Sequence, residues 1–298
     1  MKKTARIIYN PTAGKEVFQA ELPEMLSKLE DAGYIASAHR TKGKGDATLA
    51  AKHACISGFD LVIAVGGDGT VNEVINGLFQ FDERPTLGVI PMGTVNDFTR
   101  ALGIPSDIFA ALDVIINGET GNIDIGVMNG KYFMNIAGAG KITEVSYEAP
   151  SRLKTVIGSL AYYVKGIELI PQISAFPIRI EYDGEVYTGK VMLFLIGLTN
   201  SIGGFEKLVP DAKLDDGQFS ILILEEVNLA ELAHVLTLAM RGEHFKHSKV
   251  KFINARNVNV SSYEDVQLNL DGEFGGMLPA QFKNLKQALE IRMKKEAD

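Results

Sequence analysis

The feature that most constrains this chain is a short apolar run at residues 61–65 that leads directly into residues 66–70, a segment with three glycines. An apolar run of this length, bounded by turn residues, is typical of a central strand in a parallel sheet. Thr70 and Glu73 have the spacing of a capping box, which predicts that a helix begins at Thr70. The sequence therefore predicts a strand, a glycine loop and a helix in immediate succession.

This glycine loop has the properties of a phosphate site. Glycine lets the backbone approach a ligand closely, and a helix N-terminus presents N–H donors and a favourable dipole. A plain strand-to-helix turn is the alternative, because glycine-rich turns are common in α/β proteins. Asp68 favours the ligand, since a carboxylate beside phosphates requires a divalent cation or a network leading to one. We therefore expect this loop to bind a nucleoside triphosphate.

The first part of the chain, residues 5–125, alternates short apolar runs with helical periods. This alternation predicts a parallel sheet with helices on both faces, whose ligands bind at the carboxyl ends of the strands. Three more loops follow predicted strands, at residues 10–15, 41–46 and 91–97. We expect these loops and the glycine loop to converge on one nucleotide.

The pattern changes after residue 122 to strand-like runs separated by turn dipeptides such as Asp183-Gly184. This pattern predicts an antiparallel sandwich. A helix is expected near residues 229–241. The candidate strands are residues 178–182, 185–199, 219–224, 257–261 and 266–270.

Composition limits the classes of partner and the compartment. The 298 residues are 46% apolar, which is enough for two hydrophobic cores. A net charge of −7 disfavours nucleic acid as a partner. No apolar run approaches the ~20 residues that span a bilayer, and the single cysteine, Cys55, excludes an intrachain disulfide. We expect a soluble, cytoplasmic protein.

Three segments of the chain resemble motifs of known kinases. Gly66-Gly67-Asp68-Gly69-Thr70 is similar to a signature shared by diacylglycerol kinases, sphingosine kinases, NAD kinases and phosphofructokinases. The segment at residues 91–98 resembles the G-T-x-N-D-F element of the lipid kinases, and residues 268–273 resemble their D-G-E element. NAD kinases lack this combination. The resemblance covers nearly the whole chain and is strongest to the soluble bacterial diacylglycerol kinases.

This resemblance implies a fold class, a domain division and a nucleotide site. The fold is an α/β N-terminal domain with a parallel sheet, as in NAD kinases and diacylglycerol kinases, followed by a C-terminal antiparallel β-sandwich. The nucleotide-binding domain is residues 1–125 joined by residues 288–298, and residues 126–287 form the lipid-substrate and catalytic-base domain. The residues implied to bind ATP are Asn10, Pro11, Thr12, Ala13, Gly14, Thr41, Gly66, Gly67, Asp68, Gly69, Thr70, Val71, Asn72 and Thr94.

Acidic side chains supply candidate ligands for Mg²⁺. Asp68, Asp97 and Asp124 each follow or interrupt an apolar strand, where an isolated carboxylate is costly without a cation or donors. A helix N-terminal acid is the alternative for Asp97. The resemblance also implies a second, structural cation in the turn that contains Asp211, held by Lys213, Asp216 and Gln218. A solvated acidic turn is the alternative there.

The resemblance makes Asp271 the general base, with Glu273 as a second catalytic acid. The local pattern by itself is equally that of an Asp-Gly-Glu hairpin turn. Residues 151–169 have helical spacing with Arg152, Lys154 and Lys165 beside the apolar face, which suits either membrane docking or core packing.

The implied activity is ATP- and Mg²⁺-dependent phosphorylation of diacylglycerol to phosphatidate by in-line transfer. Such an enzyme makes peripheral contact with the inner face of the membrane, and we expect a homodimer. A kinase of another lipid alcohol such as a sphingoid base, an NAD kinase and a non-catalytic nucleotide-binding module are the alternatives.

Overall fold

A computed structural model describes residues 2–140, 174–199 and 213–295. The predicted helix at residues 151–169 and Asp211 lie outside these described residues. The contacts divide the chain into two units, unit 1 formed by Met1–Ile123 with Gln287–Asp298, and unit 2 formed by Asp124–Lys286.

Unit 1 alternates strands and helices, as its sequence pattern predicts. Its strands are β1 (Lys3–Tyr9), β2 (Tyr34–Arg40), β3 (Leu61–Gly66) and β4 (Thr86–Pro91). Its helices are α1 (Val17–Asp31), α2 (Asp46–Ile56), α3 (Asp68–Leu78), α4 (Asp97–Ala101) and α5 (Ile108–Asn117), with a 3-10 turn at Ala13–Glu16.

The sheet of unit 1 is parallel. Its order is β4-β3-β1-β2, and the last residues of a long C-terminal strand, β15 (Ala280–Met293), pair with β4 at Ile291 and Leu87. The chain order reverses between β1 and β3. Ligands of such sheets bind at the carboxyl ends of the strands, near the point where the strand order reverses.

Helix α3 begins earlier than the sequence pattern suggests. It starts at Asp68 after Gly67, an extended N-cap residue, and no side chain caps it. The predicted capping box of Thr70 and Glu73 is therefore wrong. The predicted packing face is confirmed, because four apolar side chains at helical spacing are buried. They are Val71, Val74, Ile75 and Leu78.

Unit 2 is built mainly from antiparallel strands. The strands before its helix are β5 (Glu119–Met128), which begins in unit 1, β6 (Lys131–Phe133), β7 (Ile136–Ala139), β8 (Phe176–Tyr182), β9 (Glu185–Gly197) and β10 (Phe219–Glu225). Helix α6 (Leu229–Met240) and a 3-10 turn at His244–Lys246 follow. The later strands are β11 (Val250–Ala255), β12 (Asn257–Ser261), β13 (Gln267–Leu270), β14 (Glu273–Met277) and β15.

Strand pairing in unit 2 gives the sheet two differently covered faces. The order is β14-β13-β7-β9-β8-β12-β15, and β10 pairs with both β9 and β11. One face buries a core in which the Phe133 and Phe219 rings stack at 5.8 Å. Burial of each such ring contributes about 1.5–3 kcal/mol. On the other face, Leu232 and Val235 of α6 pack in a second cluster with Leu222. The predicted fold class, a parallel α/β unit followed by an antiparallel sandwich, is confirmed.

Candidate functional site

The loops after β1, β3 and β4 of unit 1 pack tightly against one another. A Cβ atom added to Gly14 would lie 2.2 Å from the Met92 Cε atom, and one added to Gly67 would lie 3.1 Å from the Gly93 Cα atom. Met92 N donates a hydrogen bond to Gly66 O at 2.8 Å. Gly14 also has a left-handed backbone, with φ of 59°, and a side chain at Gly67 would require Gly93 to shift. Glycine therefore suits the close contact of these loops, which brings the predicted nucleotide segments together.

Gly69 differs from the other two glycines of its loop. A Cβ atom on Gly66 would lie 2.5 Å from Thr70 Oγ1, whereas one on Gly69 would meet no heavy atom within 4 Å. Gly69 also has no left-handed backbone that would demand glycine. The space beside Gly69 is therefore open, at the first turn of α3.

The first turn of α3 can bind an anion. Thr70 N and Val71 N both donate to Gly67 O, at 2.9 and 3.2 Å. The first N–H groups of an α-helix have no acceptor within the helix, and the dipole also favours negative charge at that end. The Val71 side chain is buried in the core, so this predicted site residue has a packing role. Asn72 lies in the next turn, where its side-chain oxygen accepts from Asn76 Nδ2 at 3.0 Å.

Asn10 organises the loop after β1. Its backbone N donates to Val65 O at 3.1 Å, which joins the ends of β1 and β3. Its side-chain oxygen accepts from Thr12 N and Thr12 Oγ1, at 3.0 and 2.8 Å. These bonds fold the chain tightly around Pro11 and into Ala13, which donates to Asn10 O at 3.2 Å. Asn10 therefore holds the shape of the loop and leaves Thr12 exposed.

The loop after β2 lies beside the end of β1. Thr41 is buried, and its N donates to Tyr9 O at 2.9 Å. Asp46 closes the loop by accepting from Lys42 N at 2.7 Å, and His39 Nε2 lies 3.4 Å from the same carboxylate. The Lys42 N–H group and His39 together lower the pKa of Asp46, with the backbone hydrogen bond as the larger cause.

Glu73 caps a neighbouring helix instead of its own. Its carboxylate accepts from Gly45 N at 2.8 Å and Ala47 N at 3.2 Å, at the N-terminus of α2. Thr48 Oγ1 also donates to Glu73 O at 2.9 Å. Because α3 starts two residues before Thr70, Glu73 lies in its second turn and faces α2. Glu73 therefore connects the glycine-loop helix to the loop that carries Thr41.

Asn96 shapes the loop after β4. Its backbone is left-handed, with φ of 52°, and its side-chain amide bonds both backbone groups of Gly93, at 2.9 and 2.8 Å. Thr94 is exposed between these two residues. The structure therefore presents the Thr94 side chain at the surface of a clamped loop.

Two of the predicted metal-binding acids lie on adjoining loops of unit 1. Asp68 Oδ1 accepts from Phe98 N at 3.4 Å, and Asp97 is buried as the first residue of α4. Carboxylates on adjoining loops are suitable ligands for a hydrated Mg²⁺ ion, so the donor set fits this cation. Within residues 2–140, 174–199 and 213–295, no three His, Cys, Asp or Glu side chains gather into a metal-binding group.

Asp124 contacts the acidic turn of unit 2. Its Oδ2 atom accepts from Gly217 N at 2.6 Å, and its backbone N donates to Leu214 O at 2.7 Å. In the same turn, Asp216 Oδ1 accepts from Gln218 N at 2.8 Å, and Lys213 is exposed. These bonds close the turn around Asp124. The predicted structural cation at Lys213, Asp216 and Gln218 stays a prediction.

Asp271 occupies a two-residue hairpin turn between β13 and β14. Leu270 pairs with Glu273, and both turn residues are left-handed, with φ of 48° at Asp271 and 89° at Gly272. This geometry is a primed turn, for which Asp-Gly is a preferred sequence. The hairpin alternative is therefore correct for the backbone. Glu273 begins β14 and is exposed.

Three backbone N–H groups hold the Asp271 carboxylate. Met134 N donates to Oδ2 at 2.8 Å, and Asn135 N and Ile136 N donate to Oδ1 at 2.9 Å. Charge-assisted bonds of this kind fix the orientation of the carboxylate and stabilise its ionised form. The side chain is therefore a positioned negative charge.

Two buried asparagines support this arrangement, and sequence reasoning missed both. Asn269 Oδ1 accepts from Gly272 N at 2.8 Å, which closes the turn. Asn135 O accepts from Leu198 N at 2.9 Å, which anchors the donor segment to β9. An asparagine inside an apolar strand two residues before Asp271 was a usable signal, whereas nothing local marked Asn135.

Comparisons with known proteins cover both units. Residues 4–128 match the model of the diacylglycerol kinase catalytic domain, and residues 138–293 match the YegS C-terminal NAD kinase beta sandwich-like domain. The chain is 60% identical over 291 residues to a diacylglycerol kinase of Staphylococcus epidermidis, across 98% of this chain and 92% of the relative. It is 59% identical to the diacylglycerol kinase of Staphylococcus aureus strain JH9, over the same shares.

Solved structures give the same result. A Bacillus anthracis protein provisionally assigned as a diacylglycerol kinase has a TM-score of 0.87 at 29% identity, over 98% of this chain and 96% of that one. A diacylglycerol kinase structure from the same organism has a TM-score of 0.79 at 26% identity, over 98% and 97%. Among the described residues, none of the helices is long and apolar enough to cross a membrane.

Proposed function

We propose that this chain, which belongs to the diacylglycerol kinase family, transfers the γ-phosphoryl group of ATP to the free hydroxyl of diacylglycerol and forms phosphatidate. The observation that carries the proposal is the joined set of glycine loops, with open space beside Gly69 at the N-terminus of α3. Backbone donors there can bind the phosphates of ATP without a lysine-containing phosphate loop.

The neutral polar residues of the other loops bind the rest of the nucleotide. Thr12 and Thr94 are exposed on loops that contact the glycine loop, and Thr41 lies at the end of β2. A threonine hydroxyl has one proton to donate and can also accept a hydrogen bond. Because Thr12 donates its proton to Asn10, it can still accept from the nucleotide, and Thr41 and Thr94 are the candidate hydroxyl donors. Asn10 holds the first of these loops in shape.

Asp271 acts on the acceptor alcohol. The hydroxyl oxygen of diacylglycerol forms a bond to the γ-phosphorus, the bond to the β–γ bridging oxygen breaks, and ADP leaves. The proton of the hydroxyl passes to the Asp271 carboxylate. Because three backbone N–H groups hold the carboxylate in place, Asp271 orients the hydroxyl and accepts its proton as the new bond forms.

Asp68 and Asp97 are the residues that would hold Mg²⁺. Their carboxylates belong to adjoining loops, and Asp68 bonds the start of α4. Bound Mg²⁺ supplies neutralising charge to the phosphate oxygens. Magnesium usually keeps several waters, so water-mediated contact from one of the two acids is compatible with this assignment.

The lipid acceptor places the reaction at a membrane surface. We propose peripheral contact of this protein with the inner face of the cytoplasmic membrane, and a homodimer in solution. Light scattering of the purified chain tests the dimer, because it gives the molar mass directly. A mass close to 32.4 kDa, that of one chain, would contradict it.

A phosphorylation assay tests the activity. The purified chain is incubated with radiolabelled ATP and Mg²⁺ and offered diacylglycerol, a sphingoid base or NAD in separate reactions. We expect labelled phosphatidate as the main product. If only the sphingoid base or only NAD became labelled, that compound and not diacylglycerol would be the acceptor. ATP binding without any labelled product would favour a nucleotide-binding module.

A further inference from the structure

Strand β14 carries two exposed apolar side chains close to Asp271 in sequence. Phe274 is 54% exposed and Met277 is 40% exposed, and both lie in the strand that follows the Asp271 turn. In a regular strand, residues three apart point to opposite faces of the sheet. One of the two would then point into the core.

A β-bulge places both side chains on one face. Phe274 pairs with Asn269 and Met277 pairs with Gln267, and the register shifts between them because Gly275 has no partner. Directly opposed residues share a face, and Asn269 and Gln267 are two apart on β13. Phe274 and Met277 therefore both point away from the core that contains Leu268.

Glycine at positions 275 and 276 is required for this bulge. A Cβ atom on Gly275 would lie 2.8 Å from the Leu270 Cγ atom, and Gly276 has φ of 132°. Few side chains tolerate either condition. Bulges recur next to active sites, where they redirect side chains, and this one aligns two apolar side chains beside the proposed base.

The spacing along the hairpin matches an extended chain that leads away from Asp271. Asn269 and Gln267 lie two and four residues before Asp271, so Phe274 and Met277 are about 7 Å and about 14 Å along the strands from the turn. In diacylglycerol, the acyl chains begin a few bonds from the free hydroxyl. A hydroxyl held at Asp271 would therefore bring an acyl chain alongside these two side chains.

We propose that Phe274 and Met277 form a platform for one acyl chain of the acceptor and make the enzyme selective for long chains. This inference rests on the proposed function and adds a lipid-binding site to it. A second copy of this chain is the competing occupant, because β14 is the edge strand of its sheet in the described residues and an apolar edge can pair with another edge.

The test compares acyl-chain lengths in Phe274→Ser and Met277→Ser. Turnover is measured in mixed micelles of a neutral detergent with dihexanoylglycerol and dioleoylglycerol at equal mole fraction. We expect kcat/KM for dioleoylglycerol to fall at least tenfold in Phe274→Ser and severalfold in Met277→Ser. Values for dihexanoylglycerol should stay within twofold, and Phe274→Leu should restore most of the long-chain activity.

Phe245→Ser is the matched control. Phe245 also belongs to unit 2 and is 47% exposed, but it lies in the 3-10 turn after α6. Phe245→Ser should leave kcat/KM unchanged for both dihexanoylglycerol and dioleoylglycerol. An equal loss for both chain lengths in Phe274→Ser would overturn the platform, since it would indicate misplacement of Asp271.

Two other outcomes would also reject the proposal. A change of molar mass by light scattering in Phe274→Ser, with unchanged selectivity, would assign the surface to a second copy of the chain. Wild-type protein that phosphorylates no diacylglycerol of any length would refute the proposed function itself and the platform with it. Melting temperatures close to that of the wild type establish that the variants are folded.

Discussion

The glycine loop of unit 1 and the Asp271 turn of unit 2 use backbone N–H groups in opposite ways. Helix α3 starts at Asp68 without a side-chain cap, and the space beside Gly69 is open, so its N-terminus can present backbone N–H groups to a ligand. In unit 2, three N–H groups of Met134–Ile136 point at the Asp271 carboxylate. The first arrangement suits an external anion, whereas the second holds an anion of the protein itself.

The difference indicates what each region contributes to phosphoryl transfer. Outward donors bind the phosphates and their developing charge, which is the main requirement of a loose transition state. Inward donors fix the position and orientation of a carboxylate. Asp271 is therefore held where it can orient an alcohol and accept its proton during transfer.

Replacement of Asp271 by asparagine should have the largest effect. Asp271→Asn should lower turnover about 100- to 10,000-fold, because the proton acceptor is lost. ATP affinity, measured by calorimetry, should be unchanged. The new side-chain NH₂ group would also face backbone donors, so stability should fall by about 1–3 kcal/mol.

Asp183→Asn is a control that separates loss of the proton acceptor from loss of stability in the turn. Asp183 is also left-handed, with φ of 44°, precedes a glycine in a hairpin turn, and accepts from Arg256 N and Asn257 N at 2.8 and 3.1 Å. Its substitution should lower stability with little effect on turnover. Equal turnover in the Asp271 and Asp183 variants would show that Asp271 is only a turn residue.

Gly69→Ala should weaken ATP binding, whereas Gly93→Ala should lower stability. In Gly69→Ala the added methyl group enters open space, so the melting temperature should change little. The affinity for ATP should fall at least tenfold, which corresponds to about 1.4 kcal/mol of binding free energy. A Cβ atom at position 93 would lie 2.7 Å from Gly67 Cα, so stability should fall by about 1–3 kcal/mol. Unchanged ATP affinity in Gly69→Ala would show that the phosphates of ATP do not bind beside Gly69.

Glu73→Ala should have a smaller effect, on folding. Glu73 accepts from two N–H groups at the start of α2, and loss of such a cap costs about 1 kcal/mol. Thr70→Ala should cost less, because Thr70 does not cap α3. Urea unfolding of both variants measures the difference, and a larger loss in Thr70→Ala would contradict the assignment of the cap.

Replacement of Asp46 should have the smallest effect on stability, and this effect should disappear at acidic pH. The Lys42 N–H group lowers the pKa of Asp46, so the ionised form stabilises the folded state. This contribution is present above the ordinary pKa of an aspartate and is lost as pH falls through the lowered value. The melting temperature of Asp46→Asn should therefore approach that of the wild type below about pH 4. A constant difference down to pH 2.5 would contradict this cause.

The sequence predicted unit 1 better than unit 2, for a physical reason. The glycine loop is a local pattern in which strand, turn and helix follow within 15 residues or so, and such patterns are readable along the chain. The error at Thr70 arose because the Glu73 carboxylate is used by Gly45 and Ala47, which are distant in sequence. Tertiary contacts of this kind leave no local signal.

The Asp271 site depends almost entirely on contacts between distant residues. The donors at Met134, Asn135 and Ile136 lie more than 130 residues before Asp271. The local pattern at residues 271–273 predicts the hairpin, and only resemblance to a kinase family suggested chemistry there. The bulge at Gly275 was equally hidden, because two adjacent glycines do not specify which residue lacks a partner.

Amide hydrogen exchange tests the central claim, the opposite use of backbone N–H groups, most directly. Exchange is followed residue by residue in the free protein and at saturating concentration of a non-hydrolysable ATP analogue. We expect the amides of Met134–Ile136 to be protected in both states, and those of residues 67–69 to become protected only with the analogue. Rapid exchange at 134–136 in the free protein, or unchanged exchange at 67–69 with bound analogue, would contradict the account.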